Sequence, residues 1–200
     1  GSWSKWTINK SSSGTTIAAS GGSGTVSAPT AIRTRSYTWN GTGTSYTEQG
    51  TGTPTLTKQS GDGSFSVSGT TATVSYGNNT TTSSKSTVVR ATMDTEYVDT
   101  TFTQSAGSKV YGSWSIWSVY CNASSFTVSA SGGSVTIYSG ASRSRSWTWN
   151  GVSGSGGTES ESGTPTLSKV SGAATLNSKT VNYGNNTSTS SRSSVFRATI

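Results

Sequence analysis

The chain has 200 residues, a net charge of +7 and only 10% charged residues. Its apolar fraction is 28%, and Ser, Thr and Gly rather than charge make up the difference, which excludes the highly charged composition of a disordered chain. No run approaches the ~20 apolar residues of a membrane helix, and no basic segment leading into an apolar one marks a signal peptide.

The basic excess is spread thinly, with eight Lys/Arg against five Asp/Glu up to Gly112 and six against two after it. Without a basic run, a specific nucleic-acid surface is not expected. Weak, salt-sensitive attraction to polyanions such as sialylated or sulfated glycans is. Cys121 has no second cysteine to pair with, so it is expected to fill space in a strand.

The first element is "GSWSKW", Gly1–Trp6, which opens a candidate strand over Trp3–Ile8. Residues three apart in a strand face opposite ways, so one of Trp3 and Trp6 is expected in a core and the other near a boundary between units. Candidate strands follow at Thr15–Ala18 and Gly24–Ala28. Next comes "RTRSYTWNG", Arg33–Gly41, in a strand spanning Ile32–Trp39. A two-residue period puts Arg33, Arg35, Tyr37 and Trp39 on one face, with Thr34, Ser36 and Thr38 on the other. The favoured reading buries the Tyr/Trp end as the core of a sandwich and lets the arginine stems reach solvent at its rim. The competing reading turns that face outward, where rings stack on sugars and guanidinium groups bind hydroxyls or carboxylates.

Asn40-Gly41 suits a tight hairpin, where positive φ is needed. The Gly/Ser/Thr stretch Gly41–Gly52 reads as a long loop suited to variable contacts. Further strands are expected at Thr55–Lys58, Ser64–Val67 and Thr71–Tyr76, then a "YGNN" turn, then Ser86–Met93 and Val98–Gln104. In Ser86–Met93, alternation points Val89, Ala91 and Met93 inward and Arg90 outward. No segment carries a capped helical stripe.

Every one of these signals but the last strand returns. "GSWSIW" stands at Gly112–Trp117, "RSRSWTWNG" at Arg143–Gly151, "GTPTL" at Gly163–Leu167 and "YGNNT" at Tyr183–Thr187. "TSSRSSVFRAT", Thr189–Thr199, repeats "TSSKSTVVRAT", Thr82–Thr92. The order is preserved, and the offset drifts only from 111 to 107 residues. An all-β chain of two tandem sandwich domains is therefore expected, residues 1–111 and 112–200. Arg143, Arg145, Trp147 and Trp149 form the second copy of the mixed face.

The run "NNTTTSSKSTVVRATMDTEYVDTTFTQSAG" resembles the end of BACON-type, immunoglobulin-like domains of gut Bacteroidetes and their crAss-like phages. In those domains a Ser/Thr-rich turn precedes an "RSATITV"-like strand and a "TVTQAG"-like strand closes the fold. "TRTYTWNG"-type segments occur in immunoglobulin-like repeats of such phages. The resemblance covers most of both units through structural motifs, and it implies a seven- or eight-stranded sandwich at a virion or cell surface. It carries over no catalytic residue.

The second unit stops at Ile200, the counterpart of Met93, so its closing strand is absent. Either the chain is a piece of a longer repeat array, or another chain supplies the strand along an edge formed by Ser193, Val195, Arg197 and Thr199.

No enzyme is expected. The chain has no histidine, and its seven carboxylates show no paired or metal-ligating spacing. Glu159 and Glu161 sit two apart in what reads as a solvated loop, and no cofactor or metal is implied. The expected function is structural and adhesive: a tandem immunoglobulin-like module of a phage virion fibre or surface appendage. Its expected partners are other copies or further repeats and host-surface or mucin glycans, contacted through the Arg/aromatic faces. The alternatives are a carbohydrate-binding accessory module of a Bacteroidetes surface protein and a filament subunit assembled by strand exchange.

Overall fold

A computed structural model describes all of Gly1–Ile200, and the chain is all-β, built of several sheets with no barrel. It divides into two compact units: Gly1–Val110 with Thr148–Gly156, and Tyr111–Trp147 with Gly157–Ile200.

The first unit contains β1 (Thr7–Ser13), β2 (Thr16–Ile17), β3 (Gly22–Thr38), β4 (Ser45–Gly52), β5 (Thr55–Gly61), β6 (Ser64–Ser68), β7 (Thr71–Tyr76), β8 (Lys85–Met93) and β9 (Glu96–Gln104). One sheet runs β1-β3-β7-β6 with β4 also on β3, and the other runs β2-β9-β8-β5. Two segments expected as separate strands are one, β3. Its first half pairs with β7 and its second half with β4, while β1 lies along both halves. Pro29, which has no N–H to donate, sits where the β1 register shifts between Asn9 and Ser11, so a bulge absorbs the missing bond and the strand continues.

The segment Gly41–Gly52, expected as a loop, forms β4 from Ser45 onward. Its polar residues carry no apolar alternation, because both its faces are largely exposed. The β3–β4 turn begins at Asn40 and Gly41, both with positive φ (51° and 73°), but it is longer than a two-residue hairpin because Thr38 pairs with Ser45.

Ile17, Val26, Ala28, Leu56, Ala72, Val74, Tyr76, Val89, Ala91 and Phe102 fill the space between the two sheets. The inward alternation of β8 thus holds for Val89 and Ala91, with Met93 half-buried at the end. Polar groups in this core are tied down. Tyr76 Oη and Thr87 Oγ1 are 2.6 Å apart, and the Gly63 N–H donates to Thr87 Oγ1 at 2.9 Å. The buried Gln104 carboxamide donates from Nε2 to the carbonyls of Ala18, Ala19 and Gly77. Asn150, at the tip of Thr148–Gly156, donates from Nδ2 to Asn78 Oδ1 and the Asn79 carbonyl.

A short strand, β10 (Lys109–Tyr111), precedes the second unit. That unit contains β11 (Ser118–Cys121), β12 (Gly133–Thr136), β13 (Ser139–Trp149), β14 (Gly157–Gly163), β15 (Thr166–Gly172), β16 (Thr175–Asn177), β17 (Thr180–Tyr183) and β18 (Ser194–Thr199). The pairings of the first unit recur. Strand β13 bonds to β11 and β14, β17 bonds to β12 and β16, and β15 bonds to β18 with the same bulge, Lys169/Ser171 in place of Lys58/Ser60. The counterparts of β2 and of β9 are not present as strands, so β18 is bonded on one side only. The core cluster here has three buried residues, Ile137, Ala174 and Val181, against ten in the first. Leu167, Leu176, Tyr183 and Phe196 pack against them half-buried. Cys121 is exposed on β11, which corrects its expected role as an interior filler.

Candidate functional site

The segment before β1 holds the first surprise. Residues 1–6 lie outside regular strand, so two-residue alternation does not apply to them. Ser4 binds β3 at both ends: its N–H donates to the Thr34 carbonyl at 2.7 Å, and its Oγ accepts from the Thr34 N–H at 2.9 Å. Trp3 and Trp6 both lie against the Arg33 guanidinium, over the arginines of β3, and neither joins the core. Their expected opposite placement is overturned.

The result is a ladder. The Arg33 guanidinium carbon lies 4.8 Å from the Trp3 ring and 4.3 Å from the Trp6 ring, and that of Arg35 lies 4.5 Å from Trp3. The second unit repeats it, with Arg143 4.8 Å from Trp114 and 4.5 Å from Trp117. Arg145 lies 4.5 Å from Trp114 and 3.9 Å from Tyr111. Ser115 bonds to Ser144 as Ser4 does to Thr34. Each cation–ring contact contributes roughly 0.5–1 kcal/mol at such exposed sites, so the ladder stabilises through number and repetition.

Carboxylates lock the other side of the arginines. Arg35 is directly across from Glu48, Arg143 from Glu161 and Arg145 from Glu159, and each pair is an ion pair at 2.5–2.7 Å. Glu159 and Glu161 are thus a strand's working face and not a solvated loop. Their spacing of two, opposite two arginines spaced by two, was the signal available beforehand.

Beyond the arginines the same face of β3 ends in rings. Tyr37 meets Trp39 edge-on at 6.2 Å and stacks on Tyr46 of β4 at 5.7 Å. Trp39 is 68% exposed and Tyr46 46%, and neither Tyr37 nor Trp39 belongs to the core. The favoured reading, with this end buried, is therefore corrected: the mixed face looks outward. Trp147 and Trp149 are half-buried and likewise stand outside the core cluster. The structure brings Arg33, Arg35, Tyr37 and Trp39 onto one surface, and Arg143, Arg145, Trp147 and Trp149 onto one strand face.

On the second sheet, Arg90 donates from Nε and Nη2 to the two carboxylate oxygens of Asp99 at 2.7 and 2.8 Å, and lies 3.7 Å over Tyr97. These hydrogen bonds hold the Asp99 carboxyl below its usual value and raise the Arg90 guanidinium above its own. Of the expected edge residues, Ser193 lies just before β18, and Val195, Arg197 and Thr199 point outward from it.

These features define a sandwich-type all-β chain with a duplicated Trp/Arg/Glu surface ladder. No family model, no curated protein and no solved structure matches it. No helix is long and apolar enough to cross a membrane.

Proposed function

We propose that the chain is a non-enzymatic, structural and adhesive immunoglobulin-like module of a virion fibre or surface appendage, making weak multivalent contact with glycans. The observation that carries this reading is the exposed ring cluster of Tyr37, Trp39 and Tyr46, set beside the Arg35–Glu48 pair. Exposed aromatic faces stack on the apolar faces of sugar rings, and adjacent charged groups bind their hydroxyls. Repetition of such modules raises avidity without a tight single site. The carboxylates also support a non-catalytic role: Glu48, Asp99, Glu159 and Glu161 are each held by an arginine, and Asp94 accepts from Trp6 Nε1 at 2.6 Å.

A glycan array read with the wild-type chain and with Trp39→Ala tests this. The expected result is retention of selected glycans by the wild type and its loss in Trp39→Ala at an unchanged unfolding temperature. No glycan bound by the wild type, or binding untouched by the substitution, overturns the proposal.

A further inference from the structure

Asn-Gly occurs at Asn40-Gly41 and again at Asn150-Gly151, and the fold treats the two in opposite ways. Both stand in turns with the positive φ that these residues tolerate, 51° and 73° in the first and 55° and 76° in the second. Nothing lies within 4 Å of where a Cβ on Gly41 or on Gly151 would stand, so neither glycine is crowded on that side. The two sites are matched in sequence and in local backbone. What differs is the hold on the carboxamide.

Asn150 is half-buried and fully engaged. Its Nδ2 donates to Asn78 Oδ1 at 2.7 Å and to the Asn79 carbonyl at 2.9 Å. Its Oδ1 accepts from the Ser108 N–H at 2.8 Å, and its own N–H donates to the Ser108 carbonyl at 2.8 Å. Asn40 is exposed, and its carboxamide makes no hydrogen bond. A third pair of the same reactive type, Asp62-Gly63, is held in another way. Gly63 is buried, and its N–H donates to Thr87 Oγ1 at 2.9 Å, which ties up the nitrogen that would have to attack.

We infer that Asn40 is a site of spontaneous covalent modification, its carboxamide passing through a cyclic imide to an aspartyl or isoaspartyl residue, while Asn150 and Asp62 are held against the same chemistry. Water and its hydroxide are the only co-reactants. The Gly41 N–H gives its proton to hydroxide, and the nitrogen lone pair forms a bond to Asn40 Cγ. The Cγ–Nδ2 bond then breaks, and the amino group takes a proton from water and leaves as ammonia. Water opens the imide at either carbonyl carbon. One opening leaves a side-chain carboxylate, and the other reroutes the main chain through Cβ and Cγ. At Asn150 the carboxamide must give up its three hydrogen bonds before Cγ can turn toward Gly151, whereas at Asn40 it turns in open water. Either product puts a negative charge directly after Trp39, at the edge of the ring cluster. The inference stands apart from the glycan reading, because it uses no ligand.

The test incubates the full chain in mildly alkaline buffer, folded and in guanidinium chloride, and follows each site by peptide mass spectrometry. An isoaspartyl-specific methyltransferase counts the rerouted product. In the folded chain Asn40 is expected to convert at least about tenfold faster than Asn150, the factor that a net loss of roughly one hydrogen bond's free energy sets. In denaturant the two rates are expected to converge, which assigns the difference to the fold and not to the flanking residues. Equal rates in the folded chain, or a difference that survives in denaturant, overturns the inference. So does a folded chain in which Asn150 or Asp62 reacts ahead of Asn40, or in which Asn40 keeps its amide while the unfolded chain loses it.

Discussion

Arg33 and Gly50 face one another across β3 and β4, and Arg33 Nε is buried there without a hydrogen-bond partner. In the second unit the same place pairs Arg143 with Glu161, whose Oε2 accepts from Nε at 2.8 Å. Gly50→Glu is therefore expected to complete the first ladder. A Cβ at position 50 would sit 3.4 Å from Arg33 Cγ and from Trp3, an ordinary contact, and the backbone there does not require glycine. Satisfying a buried donor and adding an ion pair should raise stability by about 1 kcal/mol. Urea unfolding of wild type and variant checks it, and a lower midpoint would show that the gap serves another purpose.

Trp3 stacks on two guanidinium groups at once, so Trp3→Ala removes two contacts together with the packing over β3. The expected loss is about 1–2 kcal/mol. Trp3→Phe should recover part of it, since a phenyl ring keeps a smaller negative face. Thermal unfolding gives the order wild type, Phe, Ala. Equal stability of the Phe and Ala variants would mean that neither the area nor the face of a ring over the arginines contributes.

The duplication, the strand-rich class and most strand positions were legible because Val, Ala and aromatic residues alternate in β7, β8 and β9 and glycine or Asn marks the turns. Strand β4 was not legible. Ser45–Gly52 buries almost nothing, and period-two hydrophobicity reports only burial on one face. Trp39 misled for a related reason: an alternating Arg/aromatic face is equally consistent with a core and with a self-sufficient surface stack. What decides between them is Trp3 and Trp6, which lie some 30 residues upstream and are held on β3 by Ser4 and by the β1 pairing that starts at Thr7. That pairing depends on a segment outside regular strand, which strand-based reading assigns to opposite faces.

The Arg90–Asp99 pair makes a pH prediction whose sign follows from the lowered Asp99 pKa. A carboxyl whose folded pKa lies below its unfolded value, about 3.9, contributes its full stability above that value and loses it as pH falls through the folded pKa. Wild-type stability is thus expected to drop in the acid range below about pH 4, and Asp99→Asn to show a shallower drop there. Both groups are well exposed, so the difference is small. The raised Arg90 pKa adds nothing across accessible pH, since the guanidinium is charged in both states. Unfolding midpoints across pH 2–7 check this (approximate range set by the carboxyl value), and identical profiles for the two proteins would sink it.

Gln104 closes the first unit in a way no apolar residue can. Its Nε2 is the donor to three main-chain carbonyls, at 3.3, 3.2 and 2.6 Å, from Ala18, Ala19 and Gly77. The residue itself is 1% exposed. Gln104→Met keeps the volume and flexibility of the side chain but withdraws the donor, which costs the Gly77 carbonyl that hydrogen bond, while those of Ala18 and Ala19 keep main-chain donors in Gly21 and Asn79. Leaving a buried group unsatisfied costs about 1–3 kcal/mol, and with one part-buried carbonyl affected a loss at the lower end is expected. Gln104→Glu should be at least as damaging, because it replaces the donor with a charge facing three carbonyl oxygens. Its penalty should shrink at acid pH, where a protonated carboxyl can again donate one bond. Urea unfolding at neutral and acid pH separates these terms, and a Met variant as stable as wild type would mean that the Gly77 carbonyl is met by water.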